Sequence, residues 1–305
     1  MRTIKLGTST LEVPVVAVGC MRINSLDKPA AERFVQTSLD EGANFFDHAD
    51  IYSGGRCEEI FADAIHMNDD IREKIILQSK CGIRQGSFDF SKEHILSSVD
   101  GILKRLKTDY LDVLLLHRPD ALVEPEEVAE AFDQLESSGK VRHFGVSNQN
   151  PMQIELLKKA VKQPLVANQL QLSITNATMI SAGINVNMEN DPAVNRDGSI
   201  LDYSRLHDMT IQPWSPFQYG FFEGVFLGSE KFPELNQKID EIAARYNVSN
   251  TTIAVAWLLR HPANMQPIIG TMNIERLQDC CRASDIRLTR EEWYEIYRAA
   301  GNVLP

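Results

Sequence analysis

The chain is expected to fold as an α/β protein, a (β/α)8 TIM barrel with an N-terminal hairpin and extra C-terminal helices. Three observations lead there. Eight short, β-rich apolar runs recur along the 305 residues, amphipathic helical patterns lie between them, and no GxGxxG turn occurs anywhere. Parallel strands need crossover connections, so strand–helix alternation implies a parallel sheet with helices outside it. An open doubly wound sheet alternates in the same way but should carry a glycine-rich phosphate turn after a strand. The closed barrel is left, and it needs about 250 residues plus insertions.

Taken in order, TIKLGTSTLEVP (3–14) reads as a small hairpin that plugs the barrel's bottom. Strands are expected near 15–19, 43–46, 74–79, 111–116, 141–146, 164–168, 209–214 and 265–270. Between them AAERFVQTSLDEG (30–42), KEHILSSVDGILKRL (92–106), PEEVAEAFDQLESSG (125–139) and NPMQIELLKKAV (150–161) bring apolar residues back at helical spacing. Several of these start at Ser, Asp, Asn or Pro and stop at Gly, as helices do. Two extras interrupt the rhythm. Residues 173–205 are polar and weakly periodic, and residues 230–261 hold two helical patterns before the eighth strand. A last helix, TREEWYEIYRAA (289–300), closes the chain. No linker or longer repeat divides the sequence, so residues 1–305 are expected to form one barrel domain.

The totals narrow the function classes. With 43% hydrophobic and 24% charged residues the composition is that of a globular protein. A net charge of −11 and the lack of a basic stripe argue against nucleic acid or anionic lipid as a partner. The start has no continuous apolar core of a secretory signal, and no apolar stretch is long enough to span a bilayer. Five cysteines (Cys20, Cys57, Cys81, Cys280 and Cys281) are scattered without CxxC spacing, which fits reduced thiols and a cytoplasmic protein.

In α/β barrels the active site forms at the C-terminal ends of the strands. Asp47 and Tyr52 follow the second strand, Lys80 ends the third, and the fourth runs into His117. Neighbouring strands bring these four groups to one rim. A carbonyl that receives hydride develops negative charge on oxygen and must be given a proton. A phenol of ordinary pKa ~10 is a poor acid near neutrality unless a cation stabilises its phenolate. Lys80 can supply that charge, Asp47 can keep Lys80 ionised, and His117 can hydrogen-bond the developing oxyanion. Each residue alone has a plainer reading: a solvent-seeking lysine, a strand-capping histidine, a structured loop at 47–52. Only their joint placement points to chemistry. His48, Asp50 and His117 also invite a metal site, but no clustered second set of ligands completes one.

FFDHADIYSGG (45–55), ILQSKCGI (76–83), YLDVLLLHRPD (110–120), VRHFGVSN (141–148), NQLQLS (168–173), PWSPFQYG (213–220) and IIGTMNIERL (268–277) follow one another along the chain. In content and order they resemble the successive signatures of the aldo-keto reductase family, over about residues 15–282. The resemblance implies reduction of a small aldehyde or ketone by hydride from NADPH, with NADH a lesser fit. It implies a tetrad of Tyr52 as general acid with Lys80, Asp47 and His117. Ser147, Asn148 and Gln169 would hold the nicotinamide carboxamide, and Trp214 would stack on the ring, with Met21 also in the cofactor-binding set. Ser215, Phe217, Gln218 and Gly220 would line the diphosphate, Gly220 by allowing close backbone approach. Gly270, Thr271, Asn273 and Arg276 would hold the adenosine end. The sequence departs from the pattern at Met272, where many members have a lysine for the 2′-phosphate, and at Cys280, a common asparagine. Phe217, Tyr219, Phe221 and Phe222 suggest an apolar-lined pocket. The competing reading is a non-catalytic or regulatory nicotinamide-binding barrel, against which the intact tetrad argues.

Overall fold

A computed structural model describes residues 1–305. Eight strands form one parallel sheet: β1 (Ala17–Gly19), β2 (Phe45–Asp47), β3 (Ile76–Cys81), β4 (Leu111–Leu116), β5 (Val141–Ser147), β6 (Leu165–Gln171), β7 (Thr210–Trp214) and β8 (Ile268–Ile269). Their spatial order is the chain order, and β8 pairs with β1. The ring closes just before β8, where Ile211 bridges Met265 in parallel. The Ile211 amide donates to the Asn264 carbonyl at 2.9 Å, and the Gln266 amide donates to Ile211 at 3.0 Å. This is the expected TIM barrel.

Helices fall where apolar spacing placed them. Lys92–Leu106 buries Ile95, Val99, Ile102, Leu103 and Leu106, and Ser91 caps its start by accepting from the His94 amide. Pro125–Ser137 and Pro233–Tyr246 both carry proline in the first turn, where no amide is needed. The weakly periodic stretch 173–205 contains two short helices, Thr178–Ile184 and Ile200–Leu206. A helix at Arg56–Ala64 and two small hairpins at 83–88 and 218–225 were not anticipated.

Period-two alternation sorts the strand residues. Phe46, Leu77, Leu114 and Leu116 join the large apolar cluster with the helices, whereas Phe45, Ile76, Val113 and Leu115 join a separate small one. That small cluster lines the lower barrel interior and includes Leu6 and Val13 of the N-terminal hairpin. The hairpin (Thr3–Lys5 with Glu12–Pro14) therefore is the plug at the bottom. Gly7 makes its approach possible: at φ +56° a Cβ there would lie 2.3 Å from the Val166 carbonyl oxygen.

Candidate active site

The same alternation continues upward into polar residues. Asp47 is two residues above Phe45, Gln78 and Lys80 stand above Ile76, and Gln169 stands above Ala167. All four are buried. Asp47 Oδ1 accepts from Gln78 Nε2 at 2.6 Å and from Gln169 Nε2 at 3.0 Å, while its Oδ2 accepts from Lys80 Nζ at 2.8 Å. Gln78 and Gln212 exchange amide hydrogen bonds at 2.9 and 3.0 Å. Gln212 also donates to Gln266, which donates to the Pro14 carbonyl of the plug, at 2.9 and 2.8 Å. Asp47 faces only donors, the surroundings of a carboxylate.

Lys80 has all three of its donors engaged. Besides Asp47, it donates to the His48 carbonyl at 2.7 Å and to the Tyr52 hydroxyl at 3.1 Å. Burial by itself pushes its pKa down, but Asp47 and Tyr52 outweigh burial and hold the ammonium above the ordinary lysine range. Burial raises Tyr52 above the usual phenol range, Lys80 pulls it back, and Asp47 raises it again. His117 is driven well below 6.5 by burial and by the charges of Lys80 and Arg118, so its ring is neutral near pH 7. The rings of Tyr52 and His117 meet edge to face at 6.1 Å.

These groups floor a cleft of about 740 Å³ at the C-terminal end of the strands. Met21, Asp47, Tyr52, His117, Ser147, Asn148 and Gln169 line it, as do Trp214, Ser215, Phe217, Gln218, Gly270, Thr271 and Arg276. Lys80 sits behind Tyr52, outside the cleft wall. Ser147 and Asn148 are not the cap of the next helix; Asn150 is, in a capping box with Gln153. Asn148 instead adopts φ +56°, donates to Ser147 Oγ at 2.8 Å and accepts from Trp214 Nε1 at 3.1 Å. The indole plane is thereby fixed against the cleft.

Two of the expected cofactor positions, Gly220 and Asn273, do not line the cleft. A Cβ at Gly220 would meet the Glu223 carboxylate at 2.3 Å, so the space beside this glycine belongs to Glu223 and not to the cleft. Asn273 turns its side chain to cap Ile274–Arg282, accepting from the Arg276 amide at 2.9 Å. Met272 lines a separate shallow depression with Asn273. Of the four aromatics, Phe217 and Phe222 face the cleft, whereas Tyr219 packs on Phe232 at 5.1 Å. Phe221, largely exposed, meets Trp214 edge-on at 6.3 Å.

Of the interior glutamines, Gln78, Gln212 and Gln266 were missed. Gln78 was within reach, because it shares a face with Lys80 in a strand and a buried amide demands a partner. Gln212 and Gln266 gave no local signal, since their partners lie 134 and 54 residues away. Arg22 and Arg118 also line the cleft. No three His, Cys, Asp or Glu side chains converge to hold a metal ion, and the five cysteines are buried and unpaired. No helix is long and apolar enough to cross a membrane.

A phenol, an ammonium, a carboxylate and an imidazole gathered at the strand ends equip this barrel for proton transfer. The sequence profile of the Aldo/keto reductase family matches residues 6–300, and the chain belongs to that family. It is 36% identical over 304 residues to the uncharacterized oxidoreductase YcsN of Bacillus subtilis, covering 95% of each chain. It is 33% identical over 305 residues to a 6-dehydroglucose reductase of Agrobacterium fabrum, again covering 95% of each. The crystal structure of a thermostable aldo-keto reductase, Tm1743, in complex with epalrestat superposes with a TM-score of 0.78 at 25% identity, covering 98% of this chain and 100% of that one. A Bombyx mori aldo-keto reductase in complex with NADP shares the fold at 20% identity, with a TM-score of 0.76 and coverage of 98% and 92%.

Proposed function

We propose that the chain reduces aldehydes or ketones to alcohols with NADPH, and that Tyr52 is the proton donor. The observation that carries this is the buried ammonium of Lys80, shared between Tyr52 at 3.1 Å and Asp47 at 2.8 Å. When bound, the reduced nicotinamide supplies hydride to the carbonyl carbon. Tyr52 and the neutral His117 receive the carbonyl oxygen, and Tyr52 passes its proton to that oxygen as charge develops. Lys80 holds the resulting phenolate, and Asp47, fixed by Gln78 and Gln169, keeps Lys80 charged. His117 donates a hydrogen bond and positions the oxygen without adding net charge.

The cleft fits a dinucleotide. Trp214 offers a fixed flat face beside Ser147, Asn148 and Gln169, which would hold the carboxamide. Ser215, Phe217 and Gln218 would line the diphosphate, and Gln218 Oε1 is buried there without a partner. Gly270, Thr271 and Arg276 would hold the adenosine end; Arg276 is exposed and has no carboxylate partner, as a 2′-phosphate ligand requires. Met21 would close the nicotinamide side. Asn273 would act indirectly, by capping the helix that carries Arg276. Gly220 gives its carbonyl to Gln171 at 2.7 Å and shapes the loop above the cleft.

The reading is tested by following NADPH absorbance with the purified protein and 4-nitrobenzaldehyde. Aldehyde-dependent NADPH loss with stoichiometric alcohol is the expected result. Tight NADPH binding without turnover of any aldehyde or ketone in a broad panel would favour the regulatory alternative.

A further inference from the structure

Arg118 stands apart from the other arginines of the molecule. Where an arginine is drawn into the structure elsewhere, it is met by acceptors. Arg72 binds Asp112, Thr108 and two carbonyls; Arg105 binds Glu58; Arg260 binds the Leu288 carbonyl. Arg118 is half-buried, yet it makes no ion pair or hydrogen bond within the chain. Its guanidinium carbon lies 5.6 Å from the Trp214 ring centre, and its charge is close enough to Tyr52 and His117 to influence both. It lines the cleft, whose only acidic lining residue is Asp47, already committed to Lys80. The chain as a whole carries a net charge of −11. A pocket that keeps an uncompensated cation beside the reacting atoms, in so acidic a protein, is selective for negative charge.

The dinucleotide does not account for this cation. Arg118 follows β4, whereas the residues suited to phosphate, Thr271 and Arg276, follow β8. In an eight-strand ring these are opposite ends of a diameter. Arg118 is instead next to His117 in the chain and close enough to Tyr52 to act on its charge.

Resting on the reductase reading above, we propose that Arg118 is a specificity residue that binds an anionic group of the substrate. The preferred substrates are then carbonyl compounds bearing a carboxylate or a phosphate near the reacting carbon. Its planar fork can meet either group with paired, charge-assisted hydrogen bonds. At 5.6 Å from the centre of the Trp214 ring, the guanidinium is also within cation–π range.

Two matched pairs test the proposal and separate the two anions: 4-carboxybenzaldehyde against its methyl ester, and glyceraldehyde 3-phosphate against glyceraldehyde. In wild type, kcat/KM for the anionic member of at least one pair should exceed that of its neutral partner by about 10- to 100-fold, the span of a hydrogen-bonded charge. That ratio should collapse toward one in Arg118→Met, persist in part in Arg118→Lys, and shrink as salt rises in wild type. The salt dependence needs no variant, so a misfolded Arg118→Met would not rescue the proposal. Neutral members equal to or better than anionic ones in wild type would overturn it, as would a ratio unchanged by Arg118→Met. If glyceraldehyde outperforms all the others, the arginine reads hydroxyl groups and the charge assignment is wrong. No turnover of any of the four, with 4-nitrobenzaldehyde reduced by the same preparation, would overturn the proposal and leave the reductase reading standing.

Discussion

The Lys80 ammonium lies 3.1 Å from the Tyr52 hydroxyl, with Lys80 fully buried and Tyr52 partly exposed to the cleft. A phenol and an ammonium so placed titrate as a unit. Stabilising the phenolate strengthens the acid that leaves it behind, and removing the cation leaves a tyrosine that burial alone has made a worse acid.

Lys80→Met should therefore lose activity as severely as removal of the Tyr52 hydroxyl. The double variant Lys80→Met/Tyr52→Phe should be little worse than either single, because both act on one transition state. Multiplying losses, read from kcat/KM of the three variants, would show that the residues work independently. Lys80→Met also strands Asp47 inside the barrel, so a stability loss on the order of 3–5 kcal/mol should accompany it in a denaturant titration.

Gln78→Leu tests the layer beneath. It removes a 2.6 Å donor from Asp47 and the reciprocal partner of Gln212. A cost of about 1–3 kcal/mol in stability is expected for the stranded amide. A drop in kcat of roughly tenfold should follow as Asp47 loses its fixed orientation, the low end of what positioning residues supply. Wild-type kcat in a folded Gln78→Leu would confine the glutamine layer to holding the plug.

Most of the fold was legible because barrel strands and helices announce themselves by local periodicity; Leu111–Leu116 and Lys92–Leu106 lie where the pattern put them. Edges moved where pairing rather than pattern sets the limit: β8 spans only Ile268–Ile269, although the strand is expected near 265–270. The meeting of Asp47, Tyr52, Lys80 and His117 was legible for a related reason, since strand order is chain order and strand ends converge. What stayed hidden depends on contacts across the barrel or on backbone at the rim. The Gln212–Gln266 bridge, the left-handed turn at Asn148 and the Glu223 carboxylate beside Gly220 leave no mark on their own neighbours in sequence.

On the proposed reading, Arg276 favours the phosphorylated dinucleotide and Met272 adds nothing to that preference. NADPH should bind more tightly than NADH, with a preference that weakens as salt screens the phosphate contact. Arg276→Ala should raise Kd for NADPH and leave NADH nearly unchanged. Met272→Lys should sharpen the preference if the new ammonium reaches past the shallow depression into the cleft. Fluorescence titrations of both cofactors at two salt concentrations check this, and equal weakening of both by Arg276→Ala would assign Arg276 to the fold or the adenine pocket.

Asp50 sets a pH dependence of stability. Burial, then the neighbouring Glu58, raise its carboxyl from 3.8 to about 7. Between those values the folded chain retains a proton that the unfolded chain has released, so this group's contribution to stability falls as pH rises through the window. Asp50→Asn should match wild type near pH 4 and exceed it near pH 8, by an amount on the order of 2 kcal/mol, since Asp50 is partly exposed. His48 and His261, held down to about 3 and about 4 by burial, work in the opposite sense, losing stability as pH falls below the ordinary histidine range. The difference between variant and wild type isolates Asp50. A constant difference in melting temperature from pH 4 to pH 8 would contradict the shift.

The most direct measurement is single-turnover reduction of an aldehyde by NADPH-loaded Tyr52→Phe, with NADPH affinity determined on the same preparation. The substitution removes one oxygen atom from the floor of the cleft and leaves the ring in place. NADPH should bind within a few-fold of wild type while the rate of cofactor oxidation falls by at least about 100-fold, the low end for loss of a general acid. Reduction at the wild-type rate by the folded, NADPH-bound variant would show that the proton comes from elsewhere.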